Sequence, residues 1–218
     1  MTGDRPKLLA DPAAVAVRMQ QLRQSHVEPL TAYVHRLREE AGPGAAIPYF
    51  DPWDGGTDAK ILFLLEAPGA KAVRTGFVSR NNPDETAKNF FELCVEAGLH
   101  RKMAVVWNIV PWYIGTGARI RAANPRDLEA GIRPLPRLLA LLQNLQAVVL
   151  LGRKAEVAAR HLPQGALSVF KCPHPSPLYV NNAPSNRGNI LAVLQQVRAA
   201  VVQQAVQRDG PASGGPAR

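Results

Sequence analysis

The sequence predicts an α/β protein in which helices cover both faces of a parallel sheet. Three observations carry this. The short apolar runs ILFLLE, MAVVWN, AVVLLG and ALSVFK have the length and continuity of strands buried on both faces, not the alternation of half-exposed ones. Segments of helical periodicity separate these runs, and strand–helix alternation is the pattern of parallel pairing through crossovers. No linker or composition shift divides the 218 residues, which suffice for a sizeable core. A single domain over residues 1–207 is therefore expected, with 1–45 as an N-terminal helical extension and 208–218 as a disordered tail.

The elements follow in order. Val15, Met19, Leu22, Val27, Leu30, Val34 and Leu37 recur at three- and four-residue steps, which predicts helix over 12–41 with a break near Ser25-His26. Gly42-Pro43-Gly44 stops it. PYFDPWDGG reads as a loop with buried aromatics, and ILFLL, from Ile61 to Leu65, as the first strand. Asn82 as cap and Pro83 at the first helical position open the next helix. Phe90, Leu93, Cys94 and Ala97 form its buried face, and Gly98 ends it. The second strand ends near Asn108. Asn124-Pro125 opens a helical region that Pro134 and Pro136 interrupt. The third strand ends at Gly152 and is followed by helix to about His161. The fourth runs into PHPSPL, and a last helix spans about Ser185 to Gln207.

Composition narrows the function. A net charge of +9 and a pI near 10.1 favour polyanionic partners, nucleic acid before acidic membrane. No run of apolar residues is long enough to span a bilayer, and the N-terminus lacks an apolar signal core, so an intracellular, reducing, cytoplasmic location is expected. Two cysteines, Cys94 and Cys172, make neither a disulfide framework nor a cluster. No metal-ligand spacing, nucleophile elbow, dinucleotide fingerprint or phosphate-binding glycine loop is present, and no cofactor or metal is expected.

In open parallel sheets, ligands sit at the carboxyl ends of the strands. There the sequence places Glu66, Asn108, the basic pair Arg153 and Lys154, and His174. A carboxylate can orient water or face a developing positive charge, a carboxamide can read a complementary base edge, and an imidazole can donate to an anion. Each has a plainer use, as an ion pair, a turn residue or a solvated side chain. The alternating prolines of PHPSPL favour a stiff loop that is neither helix nor central strand, with Ser176 available to a phosphate and Leu178 apolar at the tip. Phe77, in the RTGFVSRNN loop, can stack on a flat ring or belong to the core.

In that order, LLEAPG, GFV, WNIVPW, VVLLG and HPSPL resemble the uracil-DNA glycosylase superfamily. The resemblance implies a three-layer α/β/α sandwich with a central four-stranded parallel sheet. It implies flipping of a uracil nucleotide from single- or double-stranded DNA, hydrolysis of its N-glycosidic bond, and an abasic product. By that resemblance Glu66 and His174 are catalytic, Glu66 with water and His174 at uracil O2. Ala67, Phe77 and Asn108 contact the base, while Ser176 and Leu178 contact DNA; the basic pair Arg153 and Lys154 at the end of the third strand is expected to contact DNA as well. A monomer acting on DNA, without membrane contact, is expected. Against the GQDPYH form of the first motif, Ala67 takes the Asp position and Gly69 the Tyr position. The EAPG spelling is similar to that of iron–sulfur branches, but two cysteines cannot supply four ligands, so an outlying, cluster-free branch is expected. Two other readings stay open: a protein of this fold that grips damaged or abasic DNA with little turnover, and a hydrolase of small phosphorylated or nucleotide substrates.

Overall fold

The computed structural model describes residues 3–117 and 119–209. Their order is α1 (Pro12–Gln20), α2 (Glu28–Ala41), β1 (Tyr49–Phe50), β2 (Ile61–Leu65), α3 (Ala70–Thr75), β3 (Phe77–Val78), α4 (Glu85–Glu96), β4 (Ala104–Asn108), α5 (Pro125–Ile132), α6 (Leu135–Leu141), β5 (Ala147–Leu151), β6 (Ser168–Cys172), α7 (Pro177–Val180) and α8 (Pro184–Asp209). The apolar runs β2, β4 and β5 are buried almost throughout, as continuous hydrophobic strands require, whereas edge strand β6 alternates. They form a parallel sheet in the order β4-β2-β5-β6. Helices α4, α7 and α8 touch one another, and α2 touches α6. Val27, Leu30, Val34 and Leu37 of the N-terminal segment belong to the same core cluster as the sheet residues.

This order has a consequence for ligands. The chain leaves β2 toward β4 and leaves β5 toward β6, in opposite directions, so the crevice between the ends of β2 and β5 is a topological switch point. Register fixes what meets there. Leu65 pairs with Asn108, and Leu151 with Cys172, so the strands end at one level. Beyond the strands, the Val110 N–H still donates to the Glu66 carbonyl at 2.9 Å and the Gly152 N–H to the Cys172 carbonyl at 2.8 Å.

Several local expectations are corrected. The helix after β3 is capped by Asp84, whose side chain accepts from Ala87 N, and begins at Glu85. Asn82 is instead buried; it donates to the Phe77 carbonyl at 2.9 Å and accepts from the Thr75 hydroxyl at 2.7 Å. The segment after β5 is a 3-10 helix, Ala155–His161. Tyr49 and Phe77 are not loop residues: β1 and β3 pair as a two-residue parallel ladder. PHPSPL does not stay extended to its end. Ser176 caps α7 with Pro177 at its first position, because a proline there surrenders only an N–H that the helix leaves unbonded. The expected break near Ser25 is present, between a 3-10 turn ending at Arg23 and α2. Residues 210–218 of the expected tail lie outside the described residues.

Asn124 caps α5 as the sequence predicts, in a reciprocal box: its side chain accepts from Asp127 N at 3.0 Å, and Asp127 accepts from Asn124 N at 2.8 Å. Asn124→Ala removes one side of that box and is expected to lower stability by about 1 kcal/mol. A smaller urea midpoint at unchanged slope reads it out.

Candidate active site

A cavity of about 760 Å³ opens at the switch point, within the range of small-ligand pockets. Glu66, Ala67, Asn108 and His174, from the ends of three different strands, all line it. Glu66 follows β2 directly, and its Oε1 accepts from the Ala123 N–H at 2.5 Å. Lys154 Nζ donates to the carbonyl of the same residue at 2.9 Å, so one residue ties the first-motif carboxylate to the segment after β5. Asn108, the last residue of β4, is 4% exposed, and its Nδ2 has no hydrogen-bond partner among the described residues. An unpaired buried amide is costly, which is why such groups are rare away from binding sites.

His174 is held from two directions. Asn89 of α4 donates to the Pro175 carbonyl at 3.0 Å, fixing the loop from outside. Gly152 supports it from within: it has φ of +87°, and a Cβ there would lie 3.1 Å from His174 Cβ. Burial pushes the His174 pKa below its ordinary value, outweighing the carboxylates of Glu66 and Asp84, which act the other way. The ring is therefore neutral at pH 7, a donor without a charge to be solvated.

The remaining expected residues are placed as follows. Phe77 does not line the cavity: it is 0% exposed, paired to Tyr49 in the ladder, and its ring lies 6.5 Å from that of Tyr49. The aromatic ring that lines the cavity is Phe90 of α4, which sequence periodicity marked only as core. Ser176 is spent partly on capping α7, its Oγ lying 3.4 Å from Tyr179 N. Leu178 is 86% exposed at the tip of α7. Arg153 and Lys154 are exposed and outside the cavity wall. Sequence reasoning missed Arg80 and Asp84, which line the cavity, and the exposed cations Lys71 and Arg74 at its margin. The only signal for them was position, Lys71 and Arg74 on α3 directly after the first motif, Arg80 and Asp84 in the loop between β3 and α4.

Among the described residues no group of His, Cys, Asp or Glu is arranged to hold a metal ion. Burial pushes the thiols of Cys94 and Cys172 up to about 11 and about 12, far from thiolate chemistry at neutral pH. Among the described residues no helix is long and apolar enough to cross a membrane.

A parallel sheet whose switch point opens on a cavity lined by a carboxylate, a carboxamide and an imidazole defines an α/β protein with a candidate ligand site at its strand ends. The family is narrower than that class. A family model described as the uracil DNA glycosylase superfamily matches residues 52–198, about two thirds of the chain, and the chain belongs to that superfamily. Among solved structures it is similar to mimivirus UNG carrying a tyrosine-to-phenylalanine substitution, in complex with UGI. That likeness has 14% identity and a TM-score of 0.40, covering 82% of this chain and 73% of that one. Among curated proteins none matches.

Proposed function

We propose that the protein is a DNA repair glycosylase that takes a uracil nucleotide out of DNA and hydrolyses its N-glycosidic bond, leaving an abasic site. The observation that carries this reading is the convergence of Glu66, Asn108 and His174 on one cavity, with the Asn108 amide unpaired. Asn108 Nδ2 donates to a carbonyl of the inserted base and replaces the partner that the chain withholds. As the C1′–N1 bond breaks, its electron pair leaves with uracil, and neutral His174 donates to the oxygen that gains charge. Glu66, anchored through Oε1, keeps its other oxygen for the water that adds to C1′ and for the positive charge on the sugar. Exposed Leu178 fills the space that the flipped nucleotide vacates, and the basic surface holds the phosphates.

The test is single-turnover release of base from single- and double-stranded uracil oligonucleotides, read by alkaline cleavage. Wild type is expected to release uracil, and Asn108→Ala to do so on the order of 10²-fold more slowly. Failure of wild type on both substrates overturns the reading.

Two observations favour a second reading, an abasic-DNA binding protein with little turnover. Ala67 presents a methyl where the GQDPYH form carries an aspartate, and one oxygen of Glu66 is already occupied. Tight retention of abasic DNA without base release in the same assay is its signature.

A further inference from the structure

Beside the cavity lies a buried ionic cluster in which Arg18 and Arg101 each hydrogen-bond a carboxylate, although Arg18 Nε is left unpaired among the described residues. Asp51 Oδ2 accepts from Arg18 at 2.5 Å, from Arg101 at 2.9 Å and from the Ser79 hydroxyl. Asp54 Oδ1 accepts from Arg101 Nε at 3.1 Å and Nη2 at 2.9 Å. Arg80 is the exception. It is 3% exposed, and its closest charged partner, Asp54 Oδ1, stands 3.8 Å from its Nε, outside hydrogen-bond range. Both Nε and Nη2 are buried without a partner among the described residues. Unlike Arg18 and Arg101, Arg80 lines the cavity, and its guanidinium carbon lies 5.6 Å from the ring centre of Phe90, which lines it too.

A buried guanidinium without acceptors is costly to keep, and it offers a rigid fork of donors suited to carbonyl or carboxylate oxygens. The same cavity holds a second buried, unpaired donor, Asn108 Nδ2. A ligand that satisfies both presents two acceptor oxygens. Because one donor is a cation, it also favours a ligand that carries or gains negative charge. Bases with an imide edge, uracil and xanthine, have two carbonyls and leave as anions. Cytosine and adenine would turn an amino group toward a donor.

We propose that Arg80 is a base-contacting residue that donates to a carbonyl oxygen of the base in the cavity and offsets the charge of the departing anion, restricting substrates to dicarbonyl bases. The inference rests on the glycosylase reading for its reaction, but not for its ligand. The alternative is an Arg80 that serves only as a distant structural counterion to Asp54.

Three measurements on the full chain decide between them. In wild-type protein labelled at arginine nitrogen, the Arg80 Nε–H resonance is expected to move on titration with free uracil or xanthine and to stay in place with cytosine. Arg80→Lys keeps charge but loses the fork, and Arg80→Met removes the charge; in both, Asp54 keeps its two hydrogen bonds from Arg101, so that no lone buried carboxylate is left. Thermal melts establish that each variant is folded. At saturating uracil DNA, single-turnover base release is expected to fall about 10-fold in the first and on the order of 10²- to 10³-fold in the second, with DNA affinity unchanged. Release at the wild-type rate from either folded variant, or an unmoved resonance with uracil, overturns the proposal while leaving the glycosylase reading intact. Wild type that releases no base but shifts the Arg80 resonance with uracil removes that reading, and with it the part of the proposal that concerns the departing anion, and keeps the base contact. Absence of both release and shift removes both.

Discussion

His174→Ala is expected to slow single-turnover release of uracil by about 10²- to 10³-fold with little change in DNA affinity. The loss falls on the chemical step because His174 is built to act on charge that appears only as the base departs. Pro173 and Pro175 fix the backbone on either side, Asn89 anchors the loop from α4, and Gly152 lets the third strand end against the His174 Cβ. A donor so fixed needs no reorganisation when the oxygen becomes negative. The carboxylates of Glu66 and Asp84 favour the protonated ring, but burial outweighs them and holds the pKa below the usual value near 6.5. The neutral ring should therefore persist to pH values at which a free histidine is protonated, and the acid limb of the rate should lie below pH 6.5. The sign for stability follows. Protons bind the unfolded chain more readily than the folded one, so the folded protein gains full benefit above about pH 6.5 and loses it as pH falls through the lower folded value. Melting temperatures at pH 7 and pH 5 should diverge less in His174→Ala than in wild type. An acid limb above pH 6.5, or an unchanged melting difference, contradicts this account.

What was legible in the sequence was what local pattern determines. Three of the four sheet strands show as apolar runs because a strand covered on both faces leaves no polar position to interrupt it, whereas edge strand β6 is half exposed and alternates. Asn124-Pro125 was readable because capping chemistry is local. So were Glu66, Asn108 and His174, since strand ends mark the ligand edge of a parallel sheet. Strand order was not readable, because pairing β2 with both β4 and β5 depends on contacts distant in sequence. Phe77 shows the same limit. Its loop-like surroundings hid a two-residue ladder with Tyr49, which buries the ring and leaves the cavity wall to Phe90. At Asn82-Pro83 a valid capping signal lost to two other partners: Asn82 bonds backwards to the Thr75 hydroxyl and the Phe77 carbonyl, and Asp84 takes the cap. The buried charges were least legible. Arg18, placed by periodicity on a helix of ordinary appearance, is 1% exposed because Asp51 receives it.

That ion pair gives the largest expected effect on stability. Asp51→Ala is expected to cost about 3–5 kcal/mol, because it leaves Arg18 as an uncompensated charge in the interior and strips Arg101 of one of its acceptors. Replacing both members of a buried pair by apolar groups is often neutral, so the cost lies in the abandoned charge and not in the lost bond. Four groups converge on the Asp51 carboxylate: Arg18, Arg101, the Ser79 hydroxyl and the Trp53 N–H at 2.9 Å. Burial works against its charge, but the Arg101 and Arg18 guanidinia prevail and hold its pKa below the usual carboxylate value. A depressed carboxylate contributes stability that is present above its unfolded value, near 3.9, and disappears as pH falls through the folded one. Urea midpoints at pH 7 should therefore drop sharply in Asp51→Ala at unchanged slope. Adding Arg18→Met should restore part of the loss by removing the stranded cation. A midpoint equal to that of wild type would mean that water reaches Arg18 and that the cluster is not a dry interior network. If instead the double variant is no better than Asp51→Ala, the cost resides in the contacts Asp51 makes with Ser79, Trp53 and Arg101.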